Sequence, residues 1–266
     1  MHCRLDIPGL ENRLMLRTHP LDDICVSRQI QRHNIWEPYE TSLLVGRLKH
    51  GDVFLDIGAN IGYYSVLASA IVGEAGMVIA YEPDGANFAL LRRNLRLNRA
   101  VNVMAFQAAL SDYEGSGCLF LSRDNKGDHR LYDSGDDRDC KKVRVLSAGA
   151  HLRSLVQRVD FVKIDTQGCE YAVLKGMKEI VLANRGHLTM MVEFWPFGLR
   201  LAGAGAEDLL DLLAVFGMPL HLIDHYGGRL WPVTLDSLRG WAAETTADPN
   251  NNQGFVNLLI TSFQEK

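Results

Sequence analysis

The sequence predicts an α/β domain: helices on both faces of a doubly wound, mostly parallel seven-stranded sheet that ends in an antiparallel C-terminal strand. Three stretches predict it. Val53-Phe54-Leu55-Asp56-Ile57-Gly58-Ala59-Asn60-Ile61-Gly62-Tyr63 reads as a buried strand, a Gly-x-x-x-Gly turn and a helix start. Val78 to Tyr81 is a second apolar run and ends in Glu82. Phe161 to Ile164 is a third and ends in Asp165. In such sheets ligands sit outside the carboxyl ends of the strands, where strand order reverses. Asp56, Glu82 and Asp165 therefore mark one candidate cleft.

Bulk properties narrow the class. The 266 residues carry a formal net charge of -4 and are 47% hydrophobic. That length allows one large or two small domains. The expected division is an N-terminal extension with a lid helix over 1–50 and a main domain over 51–266. The mild acidity argues against a nucleic-acid partner, which usually meets a basic face. The 5 cysteines are scattered, with no C-x-x-C pair. Neither zinc nor a disulfide framework is expected, and a reducing cytosol is the default. Polar and charged residues follow Met1, unlike a signal peptide. No apolar run reaches the ~18 residues that span a bilayer. The expectation is a cytoplasmic protein without membrane contact, its oligomeric state open.

Along the chain, residues 13–16 read as an edge strand. Trp36, Tyr39 and Glu40 precede helical spacing over 42–48, either as a lid or as an aromatic anchor. Pro83 stops the second strand, and Asp84 caps a helix over 85–97. That helix puts Phe88, Leu91 and Leu95 on one face and Arg92, Arg93 and Arg96 on a solvated one. Residues 101–108 form the next strand. Ala109-Leu110-Ser111-Asp112 follows it, as the cover of a flat ring or as a plain turn. Strands over 117–121 and 141–145 can pair across a polar stretch, 122–142. A loop of that length is usually functional, and it reads as a substrate-side loop carrying His129 and Arg130. Helices follow over 151–159, 170–177, 207–216 and 235–244. Strands follow over 187–196, with Glu193 at its carboxyl end, over 220–224, ending near His225 and Tyr226, and over 254–261.

The turn discriminates among ligands. A dinucleotide fingerprint asks for glycine at Asn60 and Tyr63, and a P-loop asks for Gly-Lys-Ser/Thr; neither is present. Free N–H groups at the helix start favour an anionic ligand group. The turn suits a nucleoside without pyrophosphate, and S-adenosylmethionine fits. A carboxylate about 20 residues past such a turn holds ribose hydroxyls, the role expected of Glu82.

The motifs Gly51-Asp52-Val53 to Tyr63, Tyr81-Glu82-Pro83, Ala109-Leu110-Ser111-Asp112 and Val162-Lys163-Ile164-Asp165-Thr166-Gln167-Gly168-Cys169-Glu170 resemble the FkbM family of methyltransferases. The resemblance runs from about Trp36 to Phe197. It implies the class I methyltransferase layout, S-adenosylmethionine as donor, and an oxygen acceptor on a sugar or secondary metabolite of natural-product biosynthesis. It implies that Gly58, Ala59, Asn60, Gly62 and Tyr63 hold the methionine moiety. Glu82 and Pro83 then border the ribose, and Ala109 and Leu110 the adenine. Asp165 faces the amino or sulfonium side. The family often has an acid where this chain has Gln167.

Methyl transfer to a hydroxyl needs in-line alignment and loss of a proton. The candidate bases are Asp165, Glu193, His129 and His225. A magnesium ion held by Asp165 and Glu193 is the alternative, without a compact ligand motif to support it. The expected partner is a small hydroxylated acceptor. The competing functions are an NAD-dependent oxidoreductase and a catalytically silent nucleoside-binding domain.

Overall fold

The computed structural model describes residues 1–20, 23–248 and 251–262. In chain order the elements are β1 (His2–Arg4), β2 (Met15–Arg17), α1 (Val26–His33), α2 (Pro38–Arg47), β3 (Val53–Ile57), α3 (Tyr63–Val72), β4 (Met77–Tyr81), α4 (Gly85–Leu97), β5 (Val103–Phe106), β6 (Ala109–Ser111), β7 (Gly115–Leu121) and β8 (Asp139–Ser147). They continue with α5 (Ala148–Arg153), β9 (Phe161–Ile164), α6 (Glu170–Gly176), α7 (Lys178–Asn184), β10 (Thr189–Phe194), α8 (Pro196–Leu201), α9 (Ala206–Phe216), β11 (Leu220–Asp224), β12 (Arg229–Val233), α10 (Leu235–Thr246) and β13 (Val256–Thr261).

The main sheet has the order β12-β11-β13-β10-β9-β3-β4-β5. Strands β5, β4, β3, β9 and β10 run parallel. β13 lies antiparallel between β10 and β11, as the C-terminal strand was expected to. Seven strands are those read from the sequence. The eighth, β12, is an edge strand antiparallel to β11. Its Arg-Leu-Trp-Pro-Val run includes a proline, which only an edge tolerates.

Alternation along the strands builds two cores. Phe54, Val78, Ala80, Phe161 and Met191 face α2, α3, α4 and the N-terminal segment. Leu55, Ile57, Ile79, Tyr81, Val162, Ile164 and Val192 face α5, α6, α7, α9 and α10. Both faces are apolar, so these strands read as continuous hydrophobic runs. From β3 the chain winds outward to β4 and β5; from β9 it winds the other way to β10. The switch point lies between β3 and β9.

Several expectations shift. The helix expected over 151–159 is α5, starting at Ala148, because Ser147 leaves β8 directly into it. The strand near 13–16 is β2, which pairs with β1 in a separate hairpin and not with the main sheet. The polar stretch 122–142 ends early, since β8 begins at Asp139. β8 pairs with β7 as expected and also takes β6 alongside, so Ala109 to Ser111 is strand rather than turn. The cysteine reading is corrected too: Cys118 and Cys140 form a disulfide with Cα atoms 5.6 Å apart. They stand at diagonal positions of the β7–β8 ladder, where Cys118 faces Lys142 and Cys140 faces Phe120. This register brings together two residues 22 apart in sequence. Residues 249 and 250, in the polar stretch 245–252 from the end of α10 towards β13, lie outside the described residues. Among the described residues no helix is long and apolar enough to cross a membrane.

Candidate active site

The carboxyl ends of β3, β4 and β9 open into a cavity of about 1010 Å³. The turn after β3 makes its floor. Gly58 has φ +86, and a Cβ there would run into the carbonyl of Asp165. The turn after β3 and the end of β9 therefore touch at backbone level, which only glycine permits. Gly62 has φ +87 and packs against Leu91 of α4. A side chain at either position would push the floor away from its neighbours.

The N–H groups of the turn are spent on the protein. Gly58 and Ala59 donate to the Tyr81 carbonyl at 3.0 and 2.9 Å, and Gly62 donates to Ala59 at 2.8 Å. Asn60 N–H donates to Glu82 Oε2 at 2.8 Å, and Ile61 N–H to the Asn60 side chain at 2.7 Å. Any anion-binding capacity lies one step further, at the start of α3, where Gly62 supplies no side-chain cap.

Three acids ring this floor, each with different partners. Asp56 is buried, accepts from Ser65 Oγ at 2.5 Å, and burial pushes its carboxyl up to about 6. Glu82 is buried and takes N–H bonds from Asn60 and, at 2.8 Å, from Asp84; burial pushes it up to about 8. Asp165 sits 3.1 Å from Lys163 Nζ and accepts from Gln167 Nε2 at 2.8 Å. Lys163 is itself buried beside Asp56, its register partner across β3 and β9. Its ammonium also lies 3.7 Å from Glu37 and 3.6 Å from Glu40, and over the Tyr64 ring. Burial opposes that charge, but the three surrounding acids, Asp165 foremost, hold its pKa well above the usual lysine range.

The remaining expected residues divide. Ala59, Asn60, Tyr63, Pro83, Ala109 and Leu110 all line the cavity. Glu193 lines it as well, with Gln167 Nε2 3.3 Å from its carboxylate. Burial, then the nearby Asp165, raises Glu193 well above the normal carboxylate range. His129 lines the cavity, but its Nδ1 accepts the Ser122 N–H at 3.0 Å. Its proton therefore sits on Nε2, leaving no free lone pair, and burial lowers its pKa to about 4. His129 is a donor here, which corrects its place among the bases. His225 lies 3.4 Å from the buried Glu40 and 3.2 Å from Asn257 Nδ2. Among the described residues no group of three or more His, Cys, Asp and Glu is arranged to hold a metal ion. Gln167 stands instead between Asp165 and Glu193, the pair considered for magnesium.

Sequence reasoning put Glu40 in the lid or anchor segment and carried Glu37, Lys163 and Asn257 only inside longer runs, with no role in the site. Glu37 accepts from Tyr64 OH at 2.7 Å, and Asn257 Nδ2 donates to Glu40 at 2.6 Å. The signal available was a lysine inside an otherwise apolar strand, which demands buried acids as partners. The polar stretch between β7 and β8 folds against the floor. The Lys126 carbonyl accepts from Asn60 Nδ2 and Asn87 Nδ2, and the Lys126 N–H donates to Asp23. Arg130 pairs with Asp128 and stacks over Trp195.

A doubly wound sheet in this strand order, with its cleft at the switch point and acids at the strand tips, defines a class I, Rossmann-like nucleoside-binding enzyme fold. The chain belongs to the FkbM family of S-adenosylmethionine-dependent methyltransferases: the methyltransferase FkbM domain matches residues 56–216, more than half of its length. It is similar to methyltransferase sdnD of Sordaria araneosa, 27% identical over 191 residues, covering 59% of this chain and 71% of that protein. It is also similar to a probable cobalt-precorrin-6B C(15)-methyltransferase (decarboxylating) of Saccharolobus solfataricus, 25% identical over 150 residues, 50% of this chain and 71% of that one. A solved methyltransferase FkbM from Methylobacillus flagellatus KT overlaps 79% of this chain with a TM-score of 0.46 and 15% identity. The overlap spans 43% of that longer chain.

Proposed function

We propose that this chain binds S-adenosylmethionine in the cleft and transfers its methyl group to a hydroxyl oxygen of a small metabolite. The observation that carries the reading is the donor set of the cavity. Its floor spends the five N–H groups from Gly58 to Gly62 internally, which leaves no cradle for a pyrophosphate. Its walls instead present Asp56, Glu82 and Asp165, acceptors for hydroxyls and cations. That chemistry matches a ribose diol, an ammonium and a sulfonium, and opposes a nicotinamide dinucleotide.

In this reading Glu82 accepts from the ribose hydroxyls, and its anchorage by Asn60 and Asp84 fixes the direction of its lone pairs. Ala109 and Leu110 border the adenine. Asp165, held by Lys163 and Gln167, faces the cationic end. When bound, the cofactor supplies an activated methyl group, so the protein's task is alignment and removal of a proton. We assign proton acceptance to Glu193. Burial and the nearby Asp165 raise its pKa, which makes it a competent proton acceptor once ionised, and it lines the cavity where Gln167 holds its carboxylate. Transfer to oxygen rests on the family resemblance and on this base; one relative is named for methylation at carbon.

Isothermal titration with S-adenosylmethionine and with NAD is the test. Binding of the former with no response to NAD is expected. The reverse result in folded protein overturns the reading in favour of an oxidoreductase. Binding without methylation of any acceptor in a broad hydroxylated-metabolite screen would favour a silent binding domain.

A further inference from the structure

The acceptor side of the cavity holds more negative charge than its own cations and the cofactor balance. Glu37, Glu40, Asp165 and Glu193 form one connected cluster. Lys163 touches the first three, Gln167 joins the last two, and Asn257 and His225 back Glu40. Among the described residues, Lys163 is the ammonium within this cluster. Across the cavity Arg130 is committed to Asp128. A zwitterionic amino-acid end and a sulfonium together add a single positive charge. Two carboxyls, Glu37 and Glu193, are pushed toward the protonated form, first by burial and then by neighbouring acids. Burying ionised carboxylates without counter-charge is costly, so such a cluster holds protons until a cation replaces them.

A second, independent feature is the rim. Tyr226 and Phe255 line the cavity mouth, and both are exposed to solvent, Phe255 at 50%. Trp36 and Trp195 stand further in. Aromatic faces attract cations and cover apolar ring bodies. Tyr64 and Trp195 already each receive a protein cation in this way.

We propose that the methyl acceptor carries a protonated amine on an apolar or ring-shaped body, its ammonium entering the cluster at its cavity-lining members Glu37, Asp165 and Glu193, with Glu40 behind them, and its body resting on the aromatic rim. This rests on the proposed methyltransferase reading and narrows its acceptor class. The groups facing Glu37 are Glu40 on its own segment, Cys25 before α1, Tyr63 and Tyr64 of α3, Lys163 and Asp165 from β9 and its end, and Glu193 of β10. Those facing Glu193 are Asp165, Glu170 at the start of α6, Lys163 and Glu37. An arriving ammonium displaces protons from this set, so binding releases protons and strengthens as pH rises towards 8 for an amine that stays protonated there.

The test uses the full chain saturated with S-adenosylhomocysteine and two matched probe pairs, tyramine against tyrosol and glucosamine against glucose. Calorimetry in buffers of different ionisation enthalpy reads affinity and proton release together. At least one amine is expected to bind tenfold or more tighter than its neutral partner, with proton release. Glu37→Gln, which keeps the shape and the Tyr64 contact, is expected to reduce that preference to within about threefold. Glu40→Gln serves as the second variant should the first fail to fold. Equal affinity within both pairs, or no binding by either amine, overturns the proposal. So does a Glu37→Gln variant that loses affinity for S-adenosylhomocysteine while keeping the amine preference, since the cluster would then serve the cofactor. If S-adenosylhomocysteine itself does not bind, the methyltransferase reading fails separately, and the amine pairs run on the free protein still decide the acceptor site.

Discussion

Replacing Gly58 by alanine tests the closest approach in the site. At φ +86 an L-residue pays about 1–2 kcal/mol for the left-handed conformation. The added Cβ would also meet the Asp165 carbonyl, backbone that cannot swing aside as a side chain can. Forced displacement in a packed interior costs a further ~1–3 kcal/mol. The expected loss is therefore about 2–5 kcal/mol, which for a domain of this size lowers Tm by roughly 5–15 °C. Gly51→Ala is the matched control. Its φ is +89, but nothing lies within 4 Å of the new Cβ, so it carries the conformational cost alone, about 1–2 kcal/mol. Denaturant unfolding followed by circular dichroism measures both. Gly58→Ala should be the worse by at least ~1 kcal/mol, and it should also weaken S-adenosylmethionine binding by moving Asp165. If the two substitutions cost the same, the backbone contact between the turn and the end of β9 is not tight and the account of the floor is wrong.

Other outcomes follow from the same geometry. Glu82→Gln should weaken S-adenosylhomocysteine about 10- to 100-fold by calorimetry, the worth of roughly 1.5–3 kcal/mol for bonds to a charged group; unchanged affinity would place the ribose elsewhere. Lys163→Met leaves Asp165, Glu37 and Glu40 without their shared cation, so stability should fall by ~3 kcal/mol or more in denaturant unfolding near pH 8, with a smaller loss near pH 5. Asp56, Glu82 and Glu37 have folded pKa values raised to about 6, 8 and 8. Between about pH 5 and 8 the folded state thus holds more protons than the unfolded one, and the ligand-free protein should lose stability as pH rises through that window. A melting curve rising from pH 5.5 to 8 would contradict this. For His129, nitrogen-15 correlation spectra should show the Nε2–H tautomer and no protonation above about pH 5.

The sequence by itself determined the scaffold of the site. Apolar runs at 53–57, 77–81 and 161–164 can be satisfied only by burial on both faces. The glycines and terminal acids that follow them mark the ends where a cleft must open, because strand periodicity and turn chemistry are local properties written in neighbouring residues. Tertiary structure alone decided which charges meet. Glu37 and Glu40 of the α2 start, Lys163, Glu193 and Asn257 come from four separate segments, and no local pattern brings them together. The same holds for His129, whose role changed from base to donor through a single bond to Ser122, and for Cys118 and Cys140, joined by a strand register. Charge clusters, tautomers and cross-strand bonds depend on distances across the fold, and a linear sequence carries those distances only implicitly.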